Sequence, residues 1–315
     1  MTIELSGVQD SSGERPVRLA SGADRGDRPG EPRTGVLYLI PTPLGAESDP
    51  RAMLPTATLA ALASLDCFVV ENARTARAFL KAAGTDTPLQ QLEMHELNEH
   101  TPPDALPRLL APLRSGRDVG LLSEAGCPAV ADPGAALVEA AHAAGIRVVP
   151  MVGPSSLLLA LMASGLNGQR FAFAGYLPAQ AEARARRLRE LESRSASGDE
   201  TQLWIETPYR NRQVFDAALA VLAPSTRLLV ASQLSLPGEA IASRTVHAWR
   251  TATPPPLDRQ PTVFGLLAAR GPGGAAYAPN GDGKRGARPT KSASIVKPAA
   301  GGKPFSATRR SRPGR

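Results

Sequence analysis

Residues 36–45 read VLYLIPTPLG, an apolar run that ends in two prolines and a glycine. The length and composition of Val36–Ile40 predict a buried β-strand. Proline lacks an N–H group and fixes φ at about −65°, so Pro41 and Pro43 stop the strand and stiffen the turn behind it. A stiff turn ending in Gly45 lets a flat ligand lie close to the main chain at a small entropic cost. The same residues would also suit an ordinary tight turn between a strand and a helix.

Beyond this turn, short apolar runs alternate with longer Ala/Leu-rich stretches of helical period, which indicates βα units around a mainly parallel sheet. Ligands bind such sheets at the carboxyl ends of the strands. The loops that follow the strands read PTPLG, ENAR, SEAGCPAVADPG and VGPSS, and we predict that they form one site. The strand candidates are Val36–Ile40, Cys67–Val70, Val119–Leu122 and Arg147–Val149. The helix candidates lie near Ala57–Ser64, Arg74–Ala83, Asp104–Arg114 and Gly134–Ala144.

The alternation loosens after Gly153, and we place a domain boundary near residue 152. The segment LSLPGEAIASRTVHAWR, residues 234–250, is typical of antiparallel pairing at a sheet edge. We therefore predict two α/β domains, the first with a mainly parallel, doubly wound sheet and the second with a mixed sheet and helices. The second domain contains helix candidates at Ser156–Ser164 and 181–194 and strand candidates at Phe171–Gly175, Gln202–Glu206, Leu228–Ser232 and Val263–Leu267. The predicted divisions are a disordered leader at 1–34, domains at 35–152 and 153–270, and a disordered tail at 271–315.

The composition shows where the excess positive charge lies and indicates the cellular compartment. The net charge is +7, yet residues 35–270 hold 21 basic against 22 acidic residues, while residues 271–315 hold ten basic residues and one Asp. Such a tail suits weak, salt-sensitive contact with a phosphate backbone, or it only keeps the protein in solution. No signal peptide or transmembrane run occurs, which predicts a cytoplasmic protein without a membrane partner. Cys67 and Cys127 are too few for a disulfide framework or a metal cluster, and no metal site is predicted.

The loop SEAGCPAVADPG, residues 123–134, carries the most chemical information. It places two carboxylates, two glycines and two prolines between a buried strand and a helix. Glu124 follows the strand immediately, so we expect it to contact a ligand, whereas Asp132 before Pro133 is also suited to capping the helix. Within residues 35–270 neither GxGxxG nor GxxxxGK[ST] occurs, which removes the main support for a dinucleotide or P-loop site there.

Five segments, YLIPTPLG, SEAGCPAVADPG, AAGIRVVPMVGPSSLLLALMASGL, FAFAGYLPA and ETPYR, resemble the tetrapyrrole methylase superfamily in order and spacing. Within it they most resemble the branch that methylates cytidine 2′-oxygens of small-subunit ribosomal RNA. Over about residues 35–270, the resemblance implies two α/β domains, S-adenosylmethionine in a cleft between them, a homodimer, and ribosomal RNA or the small ribosomal subunit as partner. By resemblance, cofactor contact is assigned to Pro43, Gly45, Ser123, Glu124, Ala125, Gly126, Pro154, Ser155 and Ser156.

A ribose hydroxyl is a poor nucleophile, so a general base or hydrogen-bond acceptor should help to remove its proton. Glu71 and His95 are the catalytic candidates, with Glu96 and Glu99 nearby. Glu71 and the arginine three residues later would alternatively form an exposed surface pair, and His95 would be a merely hydrogen-bonded loop histidine. The candidates for substrate binding are Arg74, Asn98 and Arg210.

The chain departs from the branch pattern in several places. It has ENAR at residues 71–74 where the branch shows Glu-Asp-Thr-Arg, and HELNE at 95–99 where the branch shows HDHNE. It also has Ala46 for Asn, Glu124 for Asp and Cys127 for Thr. These changes leave the fold and cofactor in place but keep two alternatives open. In the first alternative, the methyl acceptor is a tetrapyrrole or another small molecule. In the second, the protein is an altered paralogue that acts as a binding module.

Overall fold

The computed structural model describes residues 33–269, so the basic tail and all but the last two residues of the predicted leader lie outside the described part. The strands are β1 Val36–Ile40, β2 Cys67–Val70, β3 Glu93–Glu96, β4 Val119–Leu122, β5 Arg147–Pro150, β6 Phe171–Tyr176, β7 Thr201–Ile205, β8 Arg227–Ser232, β9 Ala240–Thr245 and β10 Thr262–Leu267. The helices are α1 Pro50–Met53, α2 Thr56–Ala63, α3 Ala73–Ala83, α4 Leu106–Leu109, α5 Ala111–Arg114, α6 Gly134–Ala143, α7 Ser156–Ser164, α8 Ala181–Gly198, α9 Asn211–Val221 and α10 Val246–Trp249.

Strands β1 to β5 form a parallel sheet in the order β3-β2-β4-β1-β5. Successive side chains of a strand point to opposite faces. Tyr38 and Ile40 of β1 pack in one apolar cluster with α2 and α3, whereas Leu37 packs in another with α4, α5 and α6. Helices therefore cover both faces, which confirms the predicted doubly wound sheet.

Strands β6 to β10 form a mixed sheet in the order β6-β7-β10-β8-β9. Only β6 and β7 run parallel, and the other neighbours are antiparallel. Trp204 of β7 stacks on Phe264 of β10 with ring centroids 5.7 Å apart in the core beneath α8 and α9. The second predicted sheet is confirmed as mixed, with β9 as its antiparallel edge.

Two local expectations need correction. Glu93–Glu96 is an edge strand that the sequence did not predict, because the residues EMHE lack apolar periodicity and form a strand only through pairing with β2. The single helix expected at Asp104–Arg114 is instead a 3₁₀ turn followed by α4 and α5. Pro107 and Pro112 stand in the first turns of these helices, and a proline inside one continuous helix would remove a hydrogen bond.

None of the helices within residues 33–269 combines the length and the apolar character that a bilayer span requires.

Candidate active site

A cavity of about 330 Å³ lies between the two sheets. All four loops expected at the strand ends of the parallel sheet contribute to it, through Leu44, Glu71, residues 123–127 and 130–132, and Ser155. The mixed sheet supplies the opposite, mainly apolar wall. The wall residues include Phe173, Ile205, Ala231, Leu234 and Val263.

Six of the nine residues assigned to cofactor contact line this cavity, namely Ser123, Glu124, Ala125, Gly126, Ser155 and Ser156. Pro43, Gly45 and Pro154 do not line it. Leu44 lies between the first two and lines the cavity, and it also packs against the apolar cluster under the mixed sheet. The stiff turn after β1 therefore joins the two halves of the molecule at the cavity wall.

The turn after β1 is hydrogen-bonded to the loop after β4. Thr42 N–H donates to the Gly126 carbonyl at 2.9 Å, and Gly126 N–H donates to the Thr42 carbonyl at 3.1 Å. Gly126 has φ +76°, and a Cβ there would lie 3.3 Å from the Leu44 side chain. Glycine adopts this backbone conformation without strain, and its missing side chain leaves space in the cavity.

The same loop contains two strained alanines. Ala129 and Ala131 have φ of +66° and +62°, in the left-handed region that residues with a Cβ rarely adopt. Asp132 Oδ1 accepts the N–H of Ala129 at 2.9 Å and that of Gly134, the first residue of α6, at 2.7 Å. Asp132 therefore accepts the first N–H of α6 from one residue before the N-cap position, which Pro133 occupies, and it shapes the loop at the same time.

Acidic side chains dominate the polar part of the cavity. Burial, and secondarily the nearby Glu124 carboxylate, raise the pKa of Glu71, although the Glu124 N–H donates to its carboxylate. Burial likewise raises the pKa of Asp132. The Glu206 side chain is fully buried, its Oε1 accepts the Thr207 N–H at 2.8 Å, and its Oε2 lies 3.2 Å from Arg210 Nη2. Among the described residues that line the cavity, none is a Lys, Arg or His.

A wider opening of about 870 Å³ leads outward from the carboxylates. It brings Asn98 and Arg210, two of the substrate-binding candidates, to the same space as Glu71. Arg210 also donates to the carbonyls of Leu177 and Pro178 at 3.1 and 3.0 Å. The arginine therefore holds the segment that follows β6 while one side of its head group borders the opening.

The remaining candidates, His95 for catalysis and Arg74 for substrate binding, lie outside this opening. His95 Nε2 is 2.8 Å from Glu93 Oε1 on the edge strand, and Arg117 donates to the other oxygen of Glu93 and lowers its pKa. His95 lines a separate depression beside α4. Arg74 is exposed on α3 and lines none of the described cavities. His95 and Arg74 therefore do not line the cavity or the opening that Glu71 borders.

Sequence reasoning gave no role to Tyr176, whose side chain lines the cavity. Burial, and secondarily the Glu206 carboxylate, raise its pKa. The sequence could have indicated both residues, because Tyr176 lies in the motif FAFAGYLPA and Glu206 is the first residue of the motif ETPYR. The apolar wall carried no such signal, since its residues look like ordinary strand interiors.

Fold and site together define a two-domain α/β protein whose ligand cavity lies between a parallel and a mixed sheet. The family model for Tetrapyrrole (Corrin/Porphyrin) Methylases matches residues 36–248. The chain belongs to the tetrapyrrole methylase family and is a methyltransferase.

Two relatives carry the name ribosomal RNA small subunit methyltransferase I. The protein of Mesorhizobium japonicum is 34% identical over 220 residues, which cover 70% of this chain and 70% of the relative. The protein of Xylella fastidiosa is 35% identical over 221 residues, which cover 69% of this chain and 75% of the relative. The solved structure of the methyltransferase CobJ is 23% identical with a TM-score of 0.51, over 75% of this chain and 95% of that chain, and it shows the likeness of fold.

Proposed function

We propose that this protein transfers a methyl group from S-adenosylmethionine to a ribose 2′-hydroxyl of small-subunit ribosomal RNA. The observation that carries the proposal is the meeting of Glu71 with the loop 123–132 in one cavity between the sheets. The printed names of the two relatives support RNA as the acceptor.

The cavity fits S-adenosylmethionine in charge and shape. The cofactor is cationic at sulfur and has no phosphate, which matches a cavity lined by carboxylates and, among its described residues, by no cation. The space left by Gly126 beside Leu44 allows close approach to the main chain. When bound, the cofactor would supply a methyl group already activated by the sulfonium. The residues that would hold it are Leu44, Ser123, Glu124, Ala125, Gly126, Ser155 and Ser156, with Pro43, Gly45 and Pro154 supporting them from behind.

Glu71 is the group we propose to accept the proton of the ribose hydroxyl. Its carboxylate borders both the cavity and the wider opening, and its raised pKa brings its basicity closer to that needed near neutral pH. Asn98 and Arg210 border the same opening and would contact the nucleotide. His95 has no part in this proposal, because it lines a separate depression.

The carboxylates also favour a nucleoside over a tetrapyrrole acceptor. Tetrapyrroles carry several carboxylate side chains, which Glu71, Glu124, Asp132 and Glu206 would repel. A nucleoside is neutral apart from its phosphates, which can stay outside the cavity. The charge of the cavity therefore supports ribosomal RNA, and with it a cytoplasmic location.

A homodimer is the second part of the proposal. Leu158 and Met162 are four residues apart on α7 and expose 51% and 79% of their surface, and nearby in sequence Val152 exposes 72%. Side chains four apart lie on one side of a helix, and exposed apolar groups of this size are typical of an interface. We also propose that the two domains meet between β5 and α7, at residues 152–153.

Calorimetry with two adenosine compounds tests the cofactor assignment. We expect S-adenosylmethionine to give saturable heats and ATP to give none, because the triphosphate would meet the carboxylates. Flat heats with S-adenosylmethionine, or equally strong binding of ATP, would contradict the assignment.

A further inference from the structure

The outward side of α3 carries three cations in a line. Arg74, Arg77 and Lys81 are spaced by three and four residues, so they lie on one side of the helix and span roughly 10 Å along its axis. All three are exposed, whereas Ala76 and Leu80 on the opposite side are buried. We refer to Arg74, Arg77 and Lys81 as the α3 basic stripe.

The charges of the stripe are not neutralised within the described part of the chain. No ion pair joins any of the three to an acidic residue of 33–269, and the only described contact of a head group is Arg77 Nη1 with the Ala73 carbonyl at 3.5 Å. By contrast, Arg212 on α9 pairs with Asp216 four residues later at 3.2 Å. Because residues 35–270 are almost neutral as a whole, three uncompensated cations on one helix are a local excess.

The stripe begins beside the cavity. Helix α3 starts two residues after Glu71, and Thr75 in its first turn donates to the Glu124 carboxylate at 3.3 Å. The first N–H groups of the helix already have acceptors: Glu96 accepts that of Ala73 at 3.0 Å, and Asn72 accepts those of the next two residues. An anion near this helix would therefore be bound by the side chains of the stripe and not by the helix terminus.

The cavity and the α3 basic stripe carry opposite charges. The cavity holds the carboxylates of Glu71, Glu124, Asp132 and Glu206, which repel phosphate groups. The stripe attracts phosphate groups from the adjoining surface. A nucleotide strand would thus lower its electrostatic energy by inserting one nucleoside while its neighbouring phosphates stay on α3.

We propose that the α3 basic stripe binds the phosphodiester backbone of the RNA strand whose target nucleoside enters the cavity. This inference rests on the proposed function, because it takes RNA as the acceptor. It adds Arg77 and Lys81 to the residues that contact the substrate, and it gives Arg74 a position in a continuous surface.

The test compares two double variants of full-length protein. Arg77→Ala with Lys81→Ala removes two charges from the stripe, and Arg186→Ala with Arg189→Ala removes two exposed charges from α8 as a matched control. Binding to unmodified small-subunit ribosomal RNA is measured over a range of salt concentrations. We expect the stripe variant to bind about tenfold more weakly at low salt. The slope of log K against log salt should become shallower by about 1.4, the value for two lost contacts to a single strand. The α8 variant should keep the wild-type slope.

Wild-type affinity and slope in the stripe variant would overturn the inference, as would an equal loss in the α8 variant. Circular dichroism and calorimetric binding of S-adenosylmethionine check that each variant is folded. Labelled methyl transfer by the wild type is measured in parallel. If the wild type transfers methyl groups but the stripe variant keeps the wild-type salt dependence of RNA binding, the α3 basic stripe is rejected and the proposed function is retained. Binding that depends on the stripe without any transfer rejects the proposed function alone.

Discussion

Leu236 packs against Gly45 so closely that a Cβ atom on the glycine would lie 2.7 Å from Leu236 Cδ2. Gly45 belongs to the turn after β1 of the parallel sheet, and Leu236 belongs to the loop between β8 and β9 of the mixed sheet. The contact therefore connects the two sheets beside the cavity, next to the lining residues Leu44 and Leu234.

Gly45→Ala should destabilise the protein by about 1 kcal/mol, because the new methyl group overpacks this contact and the Leu236 side chain must shift to make room. Leu236→Ala should cost less in the Gly45→Ala background than in the wild type, since it removes the clash. Urea unfolding of the two single variants and the double variant measures the coupling. Strictly additive free energies of unfolding would show that the two residues do not touch.

Gly126→Val should abolish binding of S-adenosylmethionine, because the side chain would project beside Leu44 in the cavity. Gly145→Val is the matched control: Gly145 also has positive φ, +66°, but a Cβ there meets no atom within 4 Å. Both variants should lose about 1–2 kcal/mol of stability through the left-handed backbone. Calorimetry should detect binding only in the Gly145 variant, and binding in both would contradict the assigned cavity.

Glu71→Gln should slow methyl transfer by at least about a hundredfold while S-adenosylmethionine still binds. The wild-type rate should rise with pH through the raised pKa of Glu71, because the ionised carboxylate accepts the proton. A pH–rate profile of both proteins measures this. An equally steep limb in the Gln variant would remove Glu71 from the mechanism.

The same residue makes a separate prediction about stability. A carboxyl group whose pKa is raised in the folded protein favours folding below the unfolded value, near 4.5, and loses that contribution as pH rises through the folded value. Glu71→Gln should therefore gain thermal stability over the wild type as pH increases above about 4.5. Melting temperatures measured from pH 4 to pH 8 follow the difference, and a constant difference would contradict the burial of Glu71.

Leu158→Asp combined with Met162→Asp should produce monomers, because the charges would lie in the proposed interface. Sedimentation of wild type and variant measures the mass of each. Ala163→Asp, at another exposed position of α7, tests whether any charge on this helix has the same effect. A monomeric wild type would reject the homodimer.

Both sheets could be predicted from the sequence, because buried strands such as Cys67–Val70 are apolar throughout. Such strands can be recognised without knowing which strands they pair with. The edge strand β3 did not, since pairing with β2 determines its conformation. At the site, the position of Ser123 and Gly126 in the cavity wall could be predicted from a motif next to a strand end. The exclusion of His95 from the cavity could not, because β3 pairs directly with the strand before Glu71, and only the contact of the His95 side chain with Glu93 and its place in the depression beside α4 reveal it.

The decisive measurement is transfer of a labelled methyl group from S-adenosylmethionine to small ribosomal subunits assembled from unmodified RNA. A 2′-O-methyl group blocks alkaline cleavage of the adjoining phosphodiester, so we expect label in an alkali-resistant dinucleotide, and much less with Glu71→Gln. Label in ordinary mononucleotides after alkaline hydrolysis, or transfer to tetrapyrroles and none to the subunits, would contradict it.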